Sequence, residues 1–140
     1  MHPLVALAKE AVELYIRKGS ILNVPEHGLP AEFDRQAGVF VCLKTKGMLR
    51  GCIGTFQPTE PDVAHEVVRN AISAATCDPR FACIGEHELA ALEYSVDVLS
   101  PTEEISATAC VASKRVVLNA MRISAMFSLT DRNPPECVIA

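Results

Sequence analysis

The chain has 140 residues, which fits one domain of the commonest size. Hydrophobic residues make up 49% of it and aromatic residues only 5%, so we expect a core of aliphatic side chains. The formal net charge of −4 argues against the basic surface that nucleic acids and anionic membranes attract, so neither partner is predicted.

The cellular location and the state of the cysteines are predicted from sequence patterns that are absent. No apolar run reaches the ~20 residues that span a bilayer, and the N-terminus lacks a signal-peptide pattern, so a cytoplasmic protein is predicted. In such a reducing compartment the six cysteines are expected to be thiols. No metal site or cofactor is predicted, because structural zinc normally shows two closely spaced ligand pairs and the chain has no Cys-x-x-Cys. The six are Cys42, Cys52, Cys77, Cys83, Cys110 and Cys137.

The N-terminal segment predicts an amphipathic helix from Pro3 to Lys18, because its apolar residues recur at helical spacing. Proline is tolerated at the first helical position, and Gly19 can end the helix in a left-handed conformation. The next segment is irregular, with one predicted helical turn over residues 31–34.

Residues 38–44 and 48–56 predict two strands of a hairpin, since both are rich in apolar residues and Gly47 suits the turn between them. Strict alternation along the second strand would place Arg50, Cys52 and Gly54 on one face. Cys42 would fall opposite Cys52 to within one residue, although a disulfide there is disfavoured in a reducing compartment.

The second strand holds the candidate site. Glycine usually marks a bulge or a close approach in a strand, and Gly51 and Gly54 would leave the Cys52 sulfur in open space. Arg50 on the same face would favour the thiolate. Cys52 and Arg50 are therefore candidate catalytic residues, with the two glycines beside the substrate. The alternative is a small buried cysteine packed under a helix, where most free cysteines lie.

A second helix is predicted from residue 63 to the mid-70s, capped by Thr59 or Asp62. Its apolar stripe is rich in alanine, which permits close approach to a sheet, and Glu66 and Asn70 are expected on the solvated side. His65 lies near the helix start, where the dipole disfavours its charged form. It is a further candidate base.

After this helix, Pro79 enforces a turn that contains Asp78 and Arg80. The two side chains are candidates for holding an anionic group of a substrate. The alternative is an ion-paired turn that fixes the exit of the chain from the helix. A short helix over 86–92 and a half-buried, antiparallel strand over 93–99 follow, whereas residues 106–140 show no convincing period.

The string Leu49-Arg50-Gly51-Cys52-Ile53-Gly54, read with Asp78-Pro79-Arg80-Phe81, Glu88-Leu89 and residues 94–101, closely resembles the AMMECR domain family, whose members include AmmeMemoRadiSam system protein A. The likeness covers residues 4–105. Residues 106–140 lack the closing strands and helix of the family, so we expect a single domain, 1–140, with an atypical and incomplete C-terminal part.

The string from Leu49 to Gly54 is the family's signature. The resemblance implies an α+β domain with an antiparallel sheet, flanking helices and a cleft beside the strand that carries this signature. It also implies association with a Memo-like protein and a radical SAM protein, but brings no established reaction and no oligomeric state. Two functions are therefore predicted as alternatives. One is a cysteine-dependent enzyme component acting on a small anionic substrate, and the other is a non-catalytic module that binds those partners.

Overall fold

The computed structural model describes residues 1–24 and 29–100. Two helices and three strands lie within one residue or two of their predicted limits, and 3₁₀ turns occupy Ala31–Phe33 and Glu86–Ala91. The atypical tail lies outside the described residues. The elements are α1 (Pro3–Lys18), β1 (Val39–Thr45), β2 (Met48–Thr55), α2 (Val63–Thr76) and β3 (Leu92–Val98).

The three strands form an antiparallel sheet in the order β2-β1-β3, with β1 in the centre. Val39, Val41 and Leu43 of β1 are fully buried in one core with apolar residues of both helices, so the helices cover this face of the sheet. The intervening residues Phe40 and Cys42 point to the opposite face. The α+β architecture predicted for the chain is thereby confirmed.

Both helix ends follow the local signals in the sequence. Gly19 adopts a positive φ of 66° after α1, and its N–H donates to the Tyr15 carbonyl. Asp62 caps α2 by accepting a hydrogen bond from the His65 N–H at 2.8 Å. Among the described residues, no helix is long and apolar enough to cross a membrane.

The polar side of α2 differs from the prediction, because Glu66 and Asn70 are buried rather than solvated. The Glu66 carboxylate accepts hydrogen bonds from the hydroxyls of Thr55 and Thr59 and from the backbone N–H groups of Thr59 and Glu60. The Asn70 amide donates to the Val39 carbonyl at 2.8 Å. These partners come from β1, β2 and the loop before α2, so the helix period alone could not reveal them.

Candidate functional site

Cys42 and Cys52 lie directly opposite each other on β1 and β2 and form a disulfide. Their Cα atoms are 4.1 Å apart, a spacing typical of a pair without mutual backbone hydrogen bonds. The expectation of free thiols here is therefore wrong, although the opposite placement of the two residues was predicted. Cys77 is also disulfide-bonded, and among the described cysteines Cys83 is the free one.

The sequence predicts that the flanking glycines leave the Cys52 sulfur in open space. This prediction is wrong. Cys52 is only 4% exposed. A side chain at Gly51 would collide with the backbone of Ala74, so this glycine lets α2 lie directly on β2. A side chain at Gly54 would collide with the ring of Phe40, its partner on β1, which fills that space instead.

Arg50 does not follow the strict alternation expected along β2. Leu43 pairs with Gly51 and Lys44 with Leu49, so Arg50 is the extra residue of a β-bulge. Its guanidinium binds the Glu88 carboxylate at two points, with Nε–Oε2 2.8 Å and Nη2–Oε1 2.9 Å. The prediction that Arg50 and Cys52 share one face is therefore wrong, because the bulge redirects the arginine.

The same guanidinium also fastens the chain that follows α2. Arg50 Nη1 donates to the Ala82 carbonyl at 2.9 Å, and Glu88 in turn accepts a hydrogen bond from the Gly85 N–H at 3.0 Å. The bulged arginine thus ties residues 82–88 to β2. Each of the three guanidinium nitrogens therefore has a hydrogen-bond partner.

Asp78 fixes the outer edge of β2 beside the disulfide. Asp78 is only 5% exposed. Its carboxylate accepts a hydrogen bond from the Cys52 N–H at 3.0 Å. The Arg80 guanidinium binds the same carboxylate at two points, with N–O distances of 3.0 and 2.8 Å. The ion-paired turn foreseen as one alternative is present, and it extends to the backbone of the signature cysteine.

Phe81 connects the two arginines. The Arg80 guanidinium carbon lies 5.5 Å from the centre of its ring and the Arg50 guanidinium carbon 6.0 Å, both within the range of cation–π attraction. Two guanidiniums, one ring and the carboxylates of Asp78 and Glu88 therefore form one charge-balanced cluster on the edge of β2.

The electrostatics of this cluster follow from the ion pairs. The hydrogen bonds from Arg50 and the Gly85 N–H lower the pKa of Glu88 to about 2, and the same pair raises the pKa of Arg50. Burial of Asp78 acts to raise its pKa, but hydrogen bonds from Arg80 and the Cys52 N–H outweigh burial and hold the pKa below its usual value. All four groups are therefore charged at neutral pH.

His65 lies away from these residues. Its ring nitrogen Nδ1 is 2.7 Å from the Asp62 carboxylate at the first turn of α2, whereas Ala74 and Asp78 meet β2 at the far end of that helix. The structure brings together Arg50, Cys52, Asp78 and Arg80, with the two glycines as packing positions, and does not bring His65 to them.

No functional role was predicted from the sequence for two residues of the site, Glu88 and Cys42. Glu88 was noticed only as part of the family resemblance, and its pairing across 38 residues with Arg50 has no local signal. Cys42 was placed opposite Cys52 but given no role. Within residues 1–24 and 29–100, no three His, Cys, Asp or Glu side chains converge as metal ligands.

The chain is similar to several proteins from bacteria and archaea. It is 48% identical over 106 residues to a protein of Thermotoga maritima, an alignment that covers 74% of this chain and 60% of the relative. It is 44% identical over 102 residues to a protein of Clostridium acetobutylicum, covering 72% and 22% of the two chains. The chain thus spans less than two thirds of the length of these relatives.

A solved structure resembles the fold as well. The crystal structure of an uncharacterized protein from Pyrococcus horikoshii superposes with a TM-score of 0.68 at 36% identity, covering 74% of this chain and 52% of the other. The family model described as AMMECR1 matches residues 5–127, which extends beyond the limit of 105 set by the motifs. The chain therefore belongs to the AMMECR1 family.

Proposed function

We propose that this chain is a cysteine-dependent redox component in which Cys42 and Cys52 alternate between a disulfide and two thiols. The observation that carries the proposal is the direct cross-strand pairing of the two residues. Disulfides in a reducing compartment such as the cytoplasm, which we propose as the location, are usually transient and catalytic or redox-sensing.

The surrounding residues support a stable frame for such a couple. Asp78 holds the Cys52 backbone, and Gly51 packs on α2, so the strand that carries Cys52 stays fixed whether the sulfur is bonded or free. In this proposal Arg50 and Arg80 have a structural role: they bind Glu88 and Asp78 and so hold the strand that carries Cys52 in place. A small anionic substrate would have to compete with those carboxylates, although the Arg80 side chain remains 40% exposed.

A redox titration with peptide mapping tests the proposal. Trypsin separates residues 36–44, which contain Cys42, from residues 51–69, which contain Cys52, so a disulfide-linked peptide reports their bond directly. The chain is equilibrated in buffers of reduced and oxidised glutathione, quenched with acid and digested without reduction. A reversible couple should titrate at a reduction potential above about −300 mV, because structural disulfides typically have lower potentials.

The Cys42→Ala variant is the matched control, since it removes the linked peptide and keeps Cys52. Failure to form the linked peptide in the oxidising buffers would contradict the proposal. So would a linkage that stays intact in every reducing buffer, because a permanent crosslink is structural.

A second candidate function rests on a different observation. The charged side chains of the cluster neutralise one another, which suits a pre-formed surface for a protein better than a pocket for a free anion. The chain would then be a non-catalytic module that binds a Memo-like protein or a radical SAM protein. Co-purification with such a partner that survives replacement of both Cys42 and Cys52 by alanine would favour this function, and loss of the partner on reduction would favour the first.

A further inference from the structure

The two residues of the pair differ in their access to solvent. Cys42 is partly exposed on the face of the sheet that the helices leave uncovered, whereas Cys52 is only 4% exposed. The rate of thiol–disulfide exchange depends on which sulfur is attacked and on access to it. The exposures therefore favour Cys42 as the residue that an external thiol attacks.

Thiol–disulfide exchange also restricts the direction of attack, because the attacking thiolate, the attacked sulfur and the leaving sulfur lie nearly in line. The strand order β2-β1-β3 fixes what lies on that line at each end. Beyond Cys42, on β3, the directly opposite residue is Ser95, which has a small and partly exposed side chain on the same face. An approach to Cys42 therefore passes over Ser95.

The approach to Cys52 from the other end is obstructed. That line crosses the outer edge of β2, where the Asp78 carboxylate accepts the Cys52 N–H and the Arg50–Glu88 pair fastens residues 82–88. A thiolate arriving there would meet the edge of β2 that Asp78 and residues 82–88 occupy.

We propose that an external thiolate attacks Cys42 Sγ by passing over Ser95, and that Ser95 is the position that keeps this approach open. The proposal rests on the redox couple of the proposed function. The incoming sulfur bonds to Cys42 Sγ, the Cys42–Cys52 bond breaks, and its electron pair leaves on Cys52 Sγ, which takes up a proton. The second thiolate of a dithiol reductant then displaces Cys42, so the reductant leaves as its disulfide and the chain gains two electrons.

Substitution at Ser95 tests the approach with dithiothreitol as the probe. All variants carry Cys83→Ser, which removes the exposed free thiol. Ser95→Leu should slow reduction of the linked peptide about tenfold because access limits exchange, while the equilibrium with dithiothreitol stays unchanged. Ser95→Ala is the matched control and should react as fast as the parent. An unchanged rate in Ser95→Leu overturns the proposal.

A trapping experiment gives a readout that does not depend on the fold of the leucine variant. With Cys52→Ala, oxidised glutathione should attach to residues 36–44, which carry Cys42. With Cys42→Ala, residues 51–69 should stay unmodified in the folded chain. Glutathione on Cys52 but not on Cys42 overturns the order of attack while leaving the redox couple intact. Failure of the couple itself appears separately, in the titration of the unsubstituted chain.

Discussion

Arg50 and Glu88 are 38 residues apart in the chain, yet they form a two-point ion pair with N–O distances of 2.8 and 2.9 Å. The pair exists because the β-bulge in β2 turns Arg50 out of the alternating pattern towards the segment that follows α2. The signature arginine therefore holds the edge of the sheet together, and this role can be measured.

We expect Glu88→Gln to lower the free energy of unfolding by about 1–2 kcal/mol, because Arg50 keeps its charge and loses a charged acceptor. Urea unfolding measures the change. The matched control is Glu86→Gln, since Glu86 is exposed and loses only an ion pair with Arg17 at an N–O distance of 3.8 Å. Equal effects of the two substitutions would show that the Arg50 pair contributes nothing special.

The same pair predicts a pH dependence. The pKa of Glu88 is lowered to about 2 from its ordinary 4.5, so the folded state binds fewer protons than the unfolded state between these values. The stabilisation is complete above about pH 4.5 and is lost as the pH falls towards 2. The difference in unfolding free energy between the parent chain and Glu88→Gln should therefore shrink below pH 4.5, and a constant difference would contradict the assignment.

Asp78→Ala should destabilise the fold by about 2–4 kcal/mol, because the Cys52 N–H and Arg80 both lose a buried acceptor. Hydrogen exchange gives the local readout, with the Cys52 amide expected to lose protection more than the rest of β2. Asp97→Ala, at an exposed position of β3, is the control. Retained protection of the Cys52 amide would argue against the hydrogen bond.

Gly51→Ala should cost about 1–3 kcal/mol, since the new methyl group would meet the backbone carbonyl of Ala74 and force α2 away from β2. Gly85→Ala is the control, because the methyl group there meets only the His87 ring, which can rotate. Thermal unfolding of both variants measures the difference. A Gly51→Ala variant as stable as the parent would mean that α2 does not lie directly on the strand.

Glu66→Gln should destabilise the fold by about 1–3 kcal/mol, because the amide NH2 replaces one of the two acceptor oxygens, so either the two backbone N–H groups or the two hydroxyls that now donate to the carboxylate lose their acceptor. Glu10→Gln, at an exposed position of α1, is the control and should stay within about 0.5 kcal/mol of the parent. Chemical denaturation distinguishes the two.

Tyr94→Phe should leave stability unchanged or raise it by up to about 1 kcal/mol, because the buried hydroxyl has no hydrogen-bond partner among the described residues. Burial and the nearby Glu13 raise the pKa of Tyr94 to about 12. Ultraviolet titration of the parent should show a tyrosine ionising near that pH. The step should vanish in Tyr94→Phe and persist in Tyr15→Phe.

Predictability from the sequence differs between the fold and the site. The limits of α1 and α2 were correct because their periods, caps and terminal glycine or proline signals act within a few residues. The face of Arg50 was predicted wrongly because one bulged residue breaks an alternation that is otherwise regular. The burial of Glu66 was missed because its donors come from β2 and a loop.

The sequence by itself determined the elements, the hairpin that sets Cys42 opposite Cys52, and the family, since local spacing and a specific motif carry that information. Tertiary structure alone decided that the pair is bonded, that Asp78 holds the Cys52 backbone and that Glu88 receives Arg50. These contacts depend on distances between segments far apart in the chain, which only the packing of α2 and its following segment against β2 brings within reach.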